Sequence, residues 1–154
     1  MSPTRFLSTK YGYDVVDGQK TPQLVITEDF TLTIEHLGQI HVEAGSLVLD
    51  GTHVGSMRVH AGATALIRGE RTGSLLVERD GKAIVVGETL GSSTIDQGGI
   101  LVIERSGRVR GSIMNLGKVV IRGEHTGSRN GTGEYLLDGG WLKDAKAPTD
   151  EDLS

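Results

Sequence analysis

A fixed interval of 18 residues constrains what this chain can fold into. Glycine recurs in 18-residue steps along the middle of the chain, with one interruption at Arg105. The members of this series are Gly51, Gly69, Gly87 and Gly123. A second series, offset from the first, is Gly45, Ala63, Gly81, Gly99 and Gly117. A short repeat with glycine corners between β-branched runs predicts a β-solenoid, in which successive turns of the chain stack on one another.

Winding the chain onto this interval gives about seven coils of roughly 18 residues, between residues 28 and 141. Each coil holds a short β-rich run followed by a turn, as in GSLVLDG (45–51) and GKAIVVG (81–87). We therefore expect an all-β, single-domain parallel β-helix. Residues 1–27 are expected to form a capping or flanking segment, in which 23–27 can form a strand that pairs with the first coil. Residues 142–154 are expected to be a flexible acidic tail.

Alternation within each run indicates which side chains face the interior. Positions, or slots, are counted from the first residue of each run, which is Gly45 in GSLVLDG. The third and fifth slots are apolar, while the residues beside them are often charged, as Asp50 and Arg68 are. Because an unpaired buried charge is costly, the apolar slots are expected to face inward. They are Leu47, Ala65, Ala83, Leu101, Val119 and Tyr135, then Leu49, Ile67, Val85, Ile103, Ile121 and Leu137. A second inward strand is expected to carry Met57, Val59, Leu75, Val77 and Ile95, with the column Val54, Thr72 and Leu90 also inward.

The slot between the two inward ones points outward, yet it is aliphatic in six coils. This apolar ladder consists of Val48, Leu66, Ile84, Val102, Val120 and Leu136. Stacked strands ~4.8 Å apart would make it about 24 Å long. β-propensity alone can account for branched residues on an exposed strand. The ladder can also be a docking face for another protein, or a face covered by the N-terminal segment.

All six aromatic residues lie outside residues 31–134. They are Phe6, Tyr11, Tyr13, Phe30, Tyr135 and Trp141. The terminal coils of a solenoid expose core side chains and unpaired strand edges. Large rings at both ends therefore either cap those surfaces or join one subunit to the next.

Three histidines, His36, His53 and His125, share one slot of the repeat, with Arg71 between them. Rings on neighbouring coils could share a metal ion if Glu35 supplied a third ligand. Alternating charges in this slot favour a solvated turn instead, so no metal site is predicted.

One coil departs from the repeat. In residues 99–116 the Gly-Ser pair comes two residues late, and Arg105, Arg108 and Arg110 cluster in the displaced corner. This cluster is either a bulge with a solvated basic edge or a recognition loop for an anion or acidic partner.

Composition narrows the function classes. The net charge is −4 with both signs interleaved, so no nucleic-acid partner is expected. There is no cysteine and no apolar stretch long enough to span a membrane, and we expect a cytoplasmic protein. The hexapeptide rule of acyltransferase solenoids fails, because Gly55 and Ala61 stand six and twelve residues after Leu49. The aspartates do not share one rank, so we expect neither an enzyme nor a cofactor.

Runs such as GRVRGSIMNLGKVVIRGEHTGS, residues 107–128, resemble the bactofilins. Bactofilins are bacterial proteins that polymerise end to end as short-coil, right-handed β-helices without nucleotide. The resemblance covers roughly residues 38–139 and implies right-handed winding and self-assembly.

These observations favour a non-catalytic solenoid that binds protein through the apolar ladder or through its ends. An immunity or inhibitor protein that occludes a toxin would fit this description. The alternative is a bactofilin-like scaffold whose partner is another copy of itself.

Overall fold

Short strands separated by glycine-containing turns make up most of the chain. The computed structural model describes residues 3–143. This part begins with a 3-10 helix, Pro3–Phe6. In chain order, the strands are β1 (Leu7–Val16), β2 (Gln19–Ile26), β3 (Phe30–Leu32), β4 (His36–Leu37), β5 (Ile40–Val42), β6 (Ser46–Leu49), β7 (Thr52–Val54), β8 (Met57–Val59), β9 (Thr64–Ile67), β10 (Glu70–Thr72), β11 (Leu75–Val77), β12 (Lys82–Val85), β13 (Glu88–Leu90), β14 (Ser93–Ile95), β15 (Ile100–Ile103), β16 (Arg108–Arg110), β17 (Ile113–Asn115), β18 (Lys118–Ile121), β19 (Glu124–Thr126), β20 (Arg129–Asn130), β21 (Glu134–Leu137) and β22 (Trp141–Lys143).

Three sheets form the walls of the solenoid, and each coil contributes one strand to each wall. Sheet A has the order β1-β2-β5-β8-β11-β14-β17-β20. Sheet B has the order β3-β6-β9-β12-β15-β18-β21, and sheet C has the order β4-β7-β10-β13-β16-β19-β22. Neighbouring strands are parallel except for β1, which pairs antiparallel with β2. The predicted all-β solenoid of about seven coils is therefore confirmed.

The register of sheet B follows the 18-residue interval through the middle of the rod. Ala65 lies opposite Ala83, which lies opposite Leu101, which lies opposite Val119. The terminal steps are shorter, because Leu47 pairs with Phe30 and Val119 pairs with Tyr135. Equivalent slots thus form continuous columns, as the repeat predicts.

The core is a narrow aliphatic column enclosed mainly by sheets A and B. Its buried members include the predicted inward slots of sheet B from Leu47 to Ile121. The predicted inward strand of sheet A is confirmed by Met57, Val59, Leu75, Val77 and Ile95, all buried in the same cluster. At the last coil, Tyr135 is only partly buried and Leu137 is exposed.

Sheet C contradicts the predicted facing. Val54, Thr72 and Leu90 point outward, and Val54 is 49% exposed. The preceding residues His53, Arg71 and Thr89 are buried instead. A shift of one residue exchanges the two faces of a strand, so the expected solvated turn at these positions is wrong as well.

Tight glycine corners set the shape of the coil. A Cβ on Gly69 would overlap the carbonyl oxygen of Gly51 in the coil below, so the corner between sheets B and C admits only glycine without rearrangement. The corner between sheets C and A holds Gly73 at a φ of +135°, with Gly55 directly beneath it. L-residues with a side chain rarely adopt that conformation. The first row belongs to the 18-residue series that contains Gly51 and Gly69, and the second consists of the glycines of Gly-Ser pairs at the same interval, such as Gly55-Ser56 and Gly73-Ser74.

The solenoid extends slightly beyond its expected bounds. Strand β2 lies in the segment predicted to flank the coils and, as predicted for residues 23–27, pairs with a strand of the first coil, β5, placing Leu24 opposite Ile40. At the other end, β22 continues to Lys143. The remainder of the predicted tail, residues 144–154, lies outside the described residues.

Candidate functional site

The apolar ladder runs along the outer face of sheet B, as predicted. Its six residues lie opposite one another in successive strands. Val102 and Val120 are nevertheless only 8% and 7% exposed, and among the six only Leu136, in the last coil, is clearly exposed. Side chains one coil apart lie about 4.8 Å from each other, so the rungs of the ladder cover one another. The middle of this face consequently offers little apolar surface to a partner.

The N-terminal end of the rod is closed by its own aromatic side chains. The 3-10 helix places Phe6 against Phe30 in an edge-to-face contact, with ring centroids 5.0 Å apart. Both rings are buried, and the guanidinium of Arg5 lies 4.6 Å from the centre of the Phe6 ring. This contact covers the aliphatic column at the first coil.

Tyr11 and Tyr13 lie on β1, at the side of the rod and not across its end. Tyr11 stacks on His41 of β5 with ring centroids 4.0 Å apart. Tyr13 is exposed, and the ammonium of Lys20 lies 5.8 Å from the centre of its ring. Of the four aromatic residues predicted to lie at the N-terminal end, Phe6 and Phe30 therefore cover the end of the core, whereas Tyr11 and Tyr13 lie on the side of the solenoid.

The C-terminal coil is much less covered within residues 3–143. Trp141 is 73% exposed and Leu137 is 52% exposed, although Leu137 occupies a slot that is fully buried in the preceding coils. Leu142 is also exposed. Tyr135 alone turns back onto the rod, where its hydroxyl donates to the carbonyl of Asn130 over 2.8 Å. Among the described strands, none pairs with the outer edges of β20, β21 and β22.

Inside sheet C the interior is polar. We call His53, Arg71, Thr89 and His125 the polar column, since all four are buried and point inward from the same position of different coils. The column is interrupted by Val109, which pairs with both Thr89 and His125. An apolar wall was expected here, so the polar column is the feature that the sequence reasoning missed.

Arg71 is the centre of this column. Its guanidinium donates to the carbonyls of Gly55 and Ser74 over 3.0 and 2.8 Å, and to the hydroxyl of Thr89 over 2.6 Å. In the described part of the chain no carboxylate lies within ion-pairing distance of it. Burial lowers the pKa of Arg71 to about 10. Backbone carbonyls, each carrying a partial negative charge, solvate this cation in place of water.

His53 and His125 repeat one arrangement at the two ends of the column. The Nε2 of His53 lies 2.6 Å from the carbonyl of Gly38, and the Nε2 of His125 lies 2.8 Å from the carbonyl of Gly111. A carbonyl only accepts, so the proton of each ring sits on Nε2. Each Nδ1 then accepts from an arginine, Arg71 over 3.5 Å or Arg129 over 2.9 Å.

These bonds explain why polar residues occupy the interior of sheet C. For His53, Arg71 and His125, one acceptor is the carbonyl of a corner glycine in the preceding coil. A buried carbonyl without a donor loses its hydration and destabilises the fold by about 1–3 kcal/mol. His53, Arg71, Thr89 and His125 each stand two residues before a Gly-Ser pair, but so does the apolar Val109, and this spacing alone therefore does not predict a polar side chain.

The structure does not bring His36, His53 and Glu35 together as metal ligands. The rings of His36 and His53 are stacked with centroids 5.8 Å apart, but both nitrogens of His53 already have hydrogen-bond partners. Glu35 is exposed. Across residues 3–143, no three histidine, aspartate or glutamate side chains are grouped so that they could hold a metal ion.

The arginines of the irregular coil are exposed. Arg108 and Arg110 lie on the outer face of β16, near Glu124 and Glu88 at 3.7 and 3.8 Å. Arg105 lies in the turn before this strand. Since two of the three arginines are paired with carboxylates of neighbouring coils, this corner is a weak candidate for binding an anion.

Within residues 3–143, the fold and these surfaces define a β-solenoid with a partly polar interior, one covered end and one end that these residues leave uncovered. Comparison with known proteins finds no family model, no curated protein and no solved structure that matches the chain. Within the described residues, no helix has the length and apolar character needed to cross a membrane.

Proposed function

We propose that this protein is a rigid, non-catalytic binding module that docks another protein at its C-terminal coil. The observation that carries the proposal is the contrast between its ends. Phe6 and Phe30 bury each other at the first coil, whereas Leu137, Trp141 and Leu142 are exposed at the last.

The C-terminal coil also presents backbone groups to a partner. The outer edges of β20, β21 and β22 carry amides and carbonyls that a partner strand could pair with, as in recognition by strand addition. Exposed aromatic and leucine side chains beside such edges supply the apolar contact that concentrates binding energy. The partner we expect therefore combines an extended segment with a pocket for the Trp141 ring. An inhibitor or immunity protein that covers a toxin would use such a surface.

The proposal is tested with a Leu137→Lys/Trp141→Lys double variant and a matched Leu90→Lys control on sheet C. Leu90 is also exposed but lies on a wall of the rod. Each tagged protein is used to purify partners from the source cells, followed by chemical cross-linking and mass spectrometry. We expect one partner to be retained by the wild type and the control, with cross-links near the last coil, and lost by the double variant. Retention by the double variant together with loss in Ile84→Lys would contradict the proposal and favour the apolar ladder.

A bactofilin-like scaffold is the second candidate, since the described fold is a solenoid of the kind that bactofilins share. The uncovered edges of β20–β22 favour association with a second copy at this end. The covered first coil opposes head-to-tail growth, because Phe6 would have to leave Phe30 before another coil could stack there. Light scattering after size-exclusion chromatography, with electron microscopy, distinguishes the two candidates: long fibres support the scaffold, and a monomer supports the binding module.

A further inference from the structure

Strand β1 is the edge strand of sheet A, and besides its pairing with β2 it is linked to the sheet by an unbroken series of side-chain contacts. The series begins at Asp14 on β1 and passes through Gln23, His41 and His60 to Glu78. It therefore joins the N-terminal strand to four successive strands of sheet A, β2, β5, β8 and β11, or to the turns that follow them.

The protons in this series follow from its first member. A carboxylate at neutral pH only accepts, so the amide nitrogen of Gln23 faces Asp14 over 3.4 Å. The carbonyl oxygen of Gln23 is then the acceptor for His41, whose Nε2 lies 3.1 Å away. The proton of neutral His41 consequently sits on Nε2, and its Nδ1 must accept from the Nε2 of His60, over 3.0 Å.

This arrangement accommodates one extra proton but not two. A first proton binds the Nδ1 of His60, which lies 3.4 Å from a carboxylate oxygen of Glu78. The resulting imidazolium donates from both nitrogens, so every contact in the series remains a hydrogen bond. A second proton binds the Nδ1 of His41, where it faces the N–H of His60. Two donors and two positive charges would then stand 3.0 Å apart.

The same two rings support the middle of β1. Tyr11 lies parallel to His41 within 12° and its ring centroid is 5.1 Å from that of His60. The Tyr11 hydroxyl and the Lys10 ammonium both donate to Glu43, each over 2.7 Å. The pairing of β1 with β2 is irregular between Ser8 and Tyr13. The middle of β1 is thus fastened by these side chains where regular strand pairing is interrupted.

We propose that β1 is an acid-released strap. Protonation of both His41 and His60 separates the two rings, lifts Lys10 and Tyr11 from the wall, and weakens the pairing of β1 with β2 on either side of that stretch. The inference is independent of what binds at the C-terminal coil.

The charges around His41 and His60 determine the pH at which β1 is released. Lys10 and Arg58 oppose protonation of the two rings, whereas Asp14, Glu43 and Glu78 favour it. Burial is the largest cause of the lowered pKa of both histidines, and it brings the pKa of His41 to about 4. The hydrogen bonds from Lys10 and Tyr11 lower the pKa of Glu43, so this carboxylate still holds the strap in mild acid. Release is therefore expected as the pH falls from 6.5 towards 4.

Linkage gives the size of the effect. A histidine that is neutral in the fastened state and free to titrate in the released state favours release below its ordinary pKa of 6.5. A shift from 6.5 to about 4 raises the equilibrium constant for release by up to roughly 300-fold.

Hydrogen–deuterium exchange, corrected for the intrinsic effect of pH, tests the strap in the full chain at pH 6.5, 5 and 4. We expect the amides of β1 and of residues 19–22 to lose protection in acid, while β9 and β12 in the middle of the rod keep theirs. His41→Gln can donate to Gln23 and accept from His60 but cannot be protonated, so it should remain protected. His36→Gln removes a titrating ring in the same coil, outside the series, and should behave as the wild type.

Tyr11→Ala supplies the complementary measurement. Without the ring, β1 and residues 19–22 should exchange faster already at pH 6.5, and the additional effect of acid should be small. Three results would overturn the proposal: unchanged protection of β1 in the wild type between pH 6.5 and 4, equal acid release in His41→Gln, or simultaneous loss of protection in β9 and β12.

Discussion

Sheets B and C enclose the same interior with opposite chemistry. The inward side chains of sheet B are aliphatic, as at Leu49, Ile67 and Ile103, and they are fully buried. Those of sheet C form the polar column, in which Arg71 is equally buried. Both walls are parallel, with strands of four residues or fewer, so strand geometry does not explain the difference.

The corner that follows each sheet explains why the interior of sheet B is apolar and that of sheet C is polar. Sheet C runs into the glycine corner occupied by Gly55 and Gly73, and carbonyls at that corner accept hydrogen bonds from buried side chains. The residues after sheet B instead place their amides on carbonyls of the coil below, as Arg68 and Gly69 both do with Leu49. A wall can therefore be apolar where its corner satisfies its own backbone groups. At the corner after sheet C the donors come from His53, Arg71 and His125, and Val109 is the exception.

The strongest test places a charge on the apolar wall. Ile103→Asp would put a carboxylate at a fully buried site in sheet B, where aliphatic side chains surround it. The net stability of a domain of this size is about 5–15 kcal/mol, and an unpaired buried charge can exceed it. We expect the domain to be unfolded at pH 7, as measured by circular dichroism.

Ile103→Ala serves as the control for lost packing alone. This change removes aliphatic volume without adding charge, and it should cost about 2–5 kcal/mol. Equal losses in the two variants would show that the interior of sheet B tolerates charge and would remove the contrast with sheet C.

The next test removes charge from the polar wall. Arg71→Met keeps a long side chain but deletes every donor to Gly55, Ser74 and Thr89. Relief of the buried cation opposes the loss of these bonds. Because several acceptors lose their donor at once, we expect a net destabilisation of about 2–4 kcal/mol in urea unfolding at pH 7.

Thr89→Val provides the matched comparison, since it removes one acceptor of Arg71 and keeps the shape. It should cost about 1 kcal/mol. A variant Arg71→Met as stable as the wild type would mean that the corner carbonyls do not depend on side-chain donors.

The apolar wall was predictable from the sequence, and the polar wall was not. Charged neighbours such as Asp50 and Arg68 fix the alternation of sheet B, because only one facing avoids burying them. The strand Thr52–Val54 has three residues, and an aliphatic side chain such as Val54 favours the wrong facing. The need for a donor at His53 arises from Gly38, a residue of another coil, which the local pattern does not reveal.

The two ends of the solenoid were also only partly predictable from the sequence. The aromatic residues were recognised as terminal, but the contact between Phe6 and Phe30 depends on a 3-10 helix outside the repeat. A periodic pattern predicts which slots align, since alignment is what repeats. It carries no information about segments that occur once.

Of the two walls compared, a change of pH should affect the polar wall of sheet C and not the apolar wall of sheet B. Burial lowers the pKa of His53 to about 4, whereas the unfolded chain titrates near 6.5. The unfolded state therefore binds the proton more readily, and the stability from neutral His53 is present above pH 6.5 and lost as the pH falls towards 4. Between pH 7 and 4.5 this amounts to on the order of 2–3 kcal/mol.

Comparison with His53→Gln isolates this contribution, because glutamine can donate to Gly38 and accept from Arg71 without titrating. The pH dependence of urea unfolding should be smaller in the variant by that amount. Parallel curves for the two proteins would show that His53 is protonated at similar pH in the folded and unfolded states.

The smallest effect is expected on the outer face of sheet B. Ile84 lies in the apolar ladder between Leu66 and Val102 and is partly exposed. A lysine there can lay its methylene groups along the neighbouring rungs and keep its ammonium in water. Ile84→Lys should therefore cost less than about 1 kcal/mol in urea unfolding at pH 7. Unfolding of this variant would mean that the ladder contributes to the core, and the contrast would then lie between sheet C and both faces of sheet B.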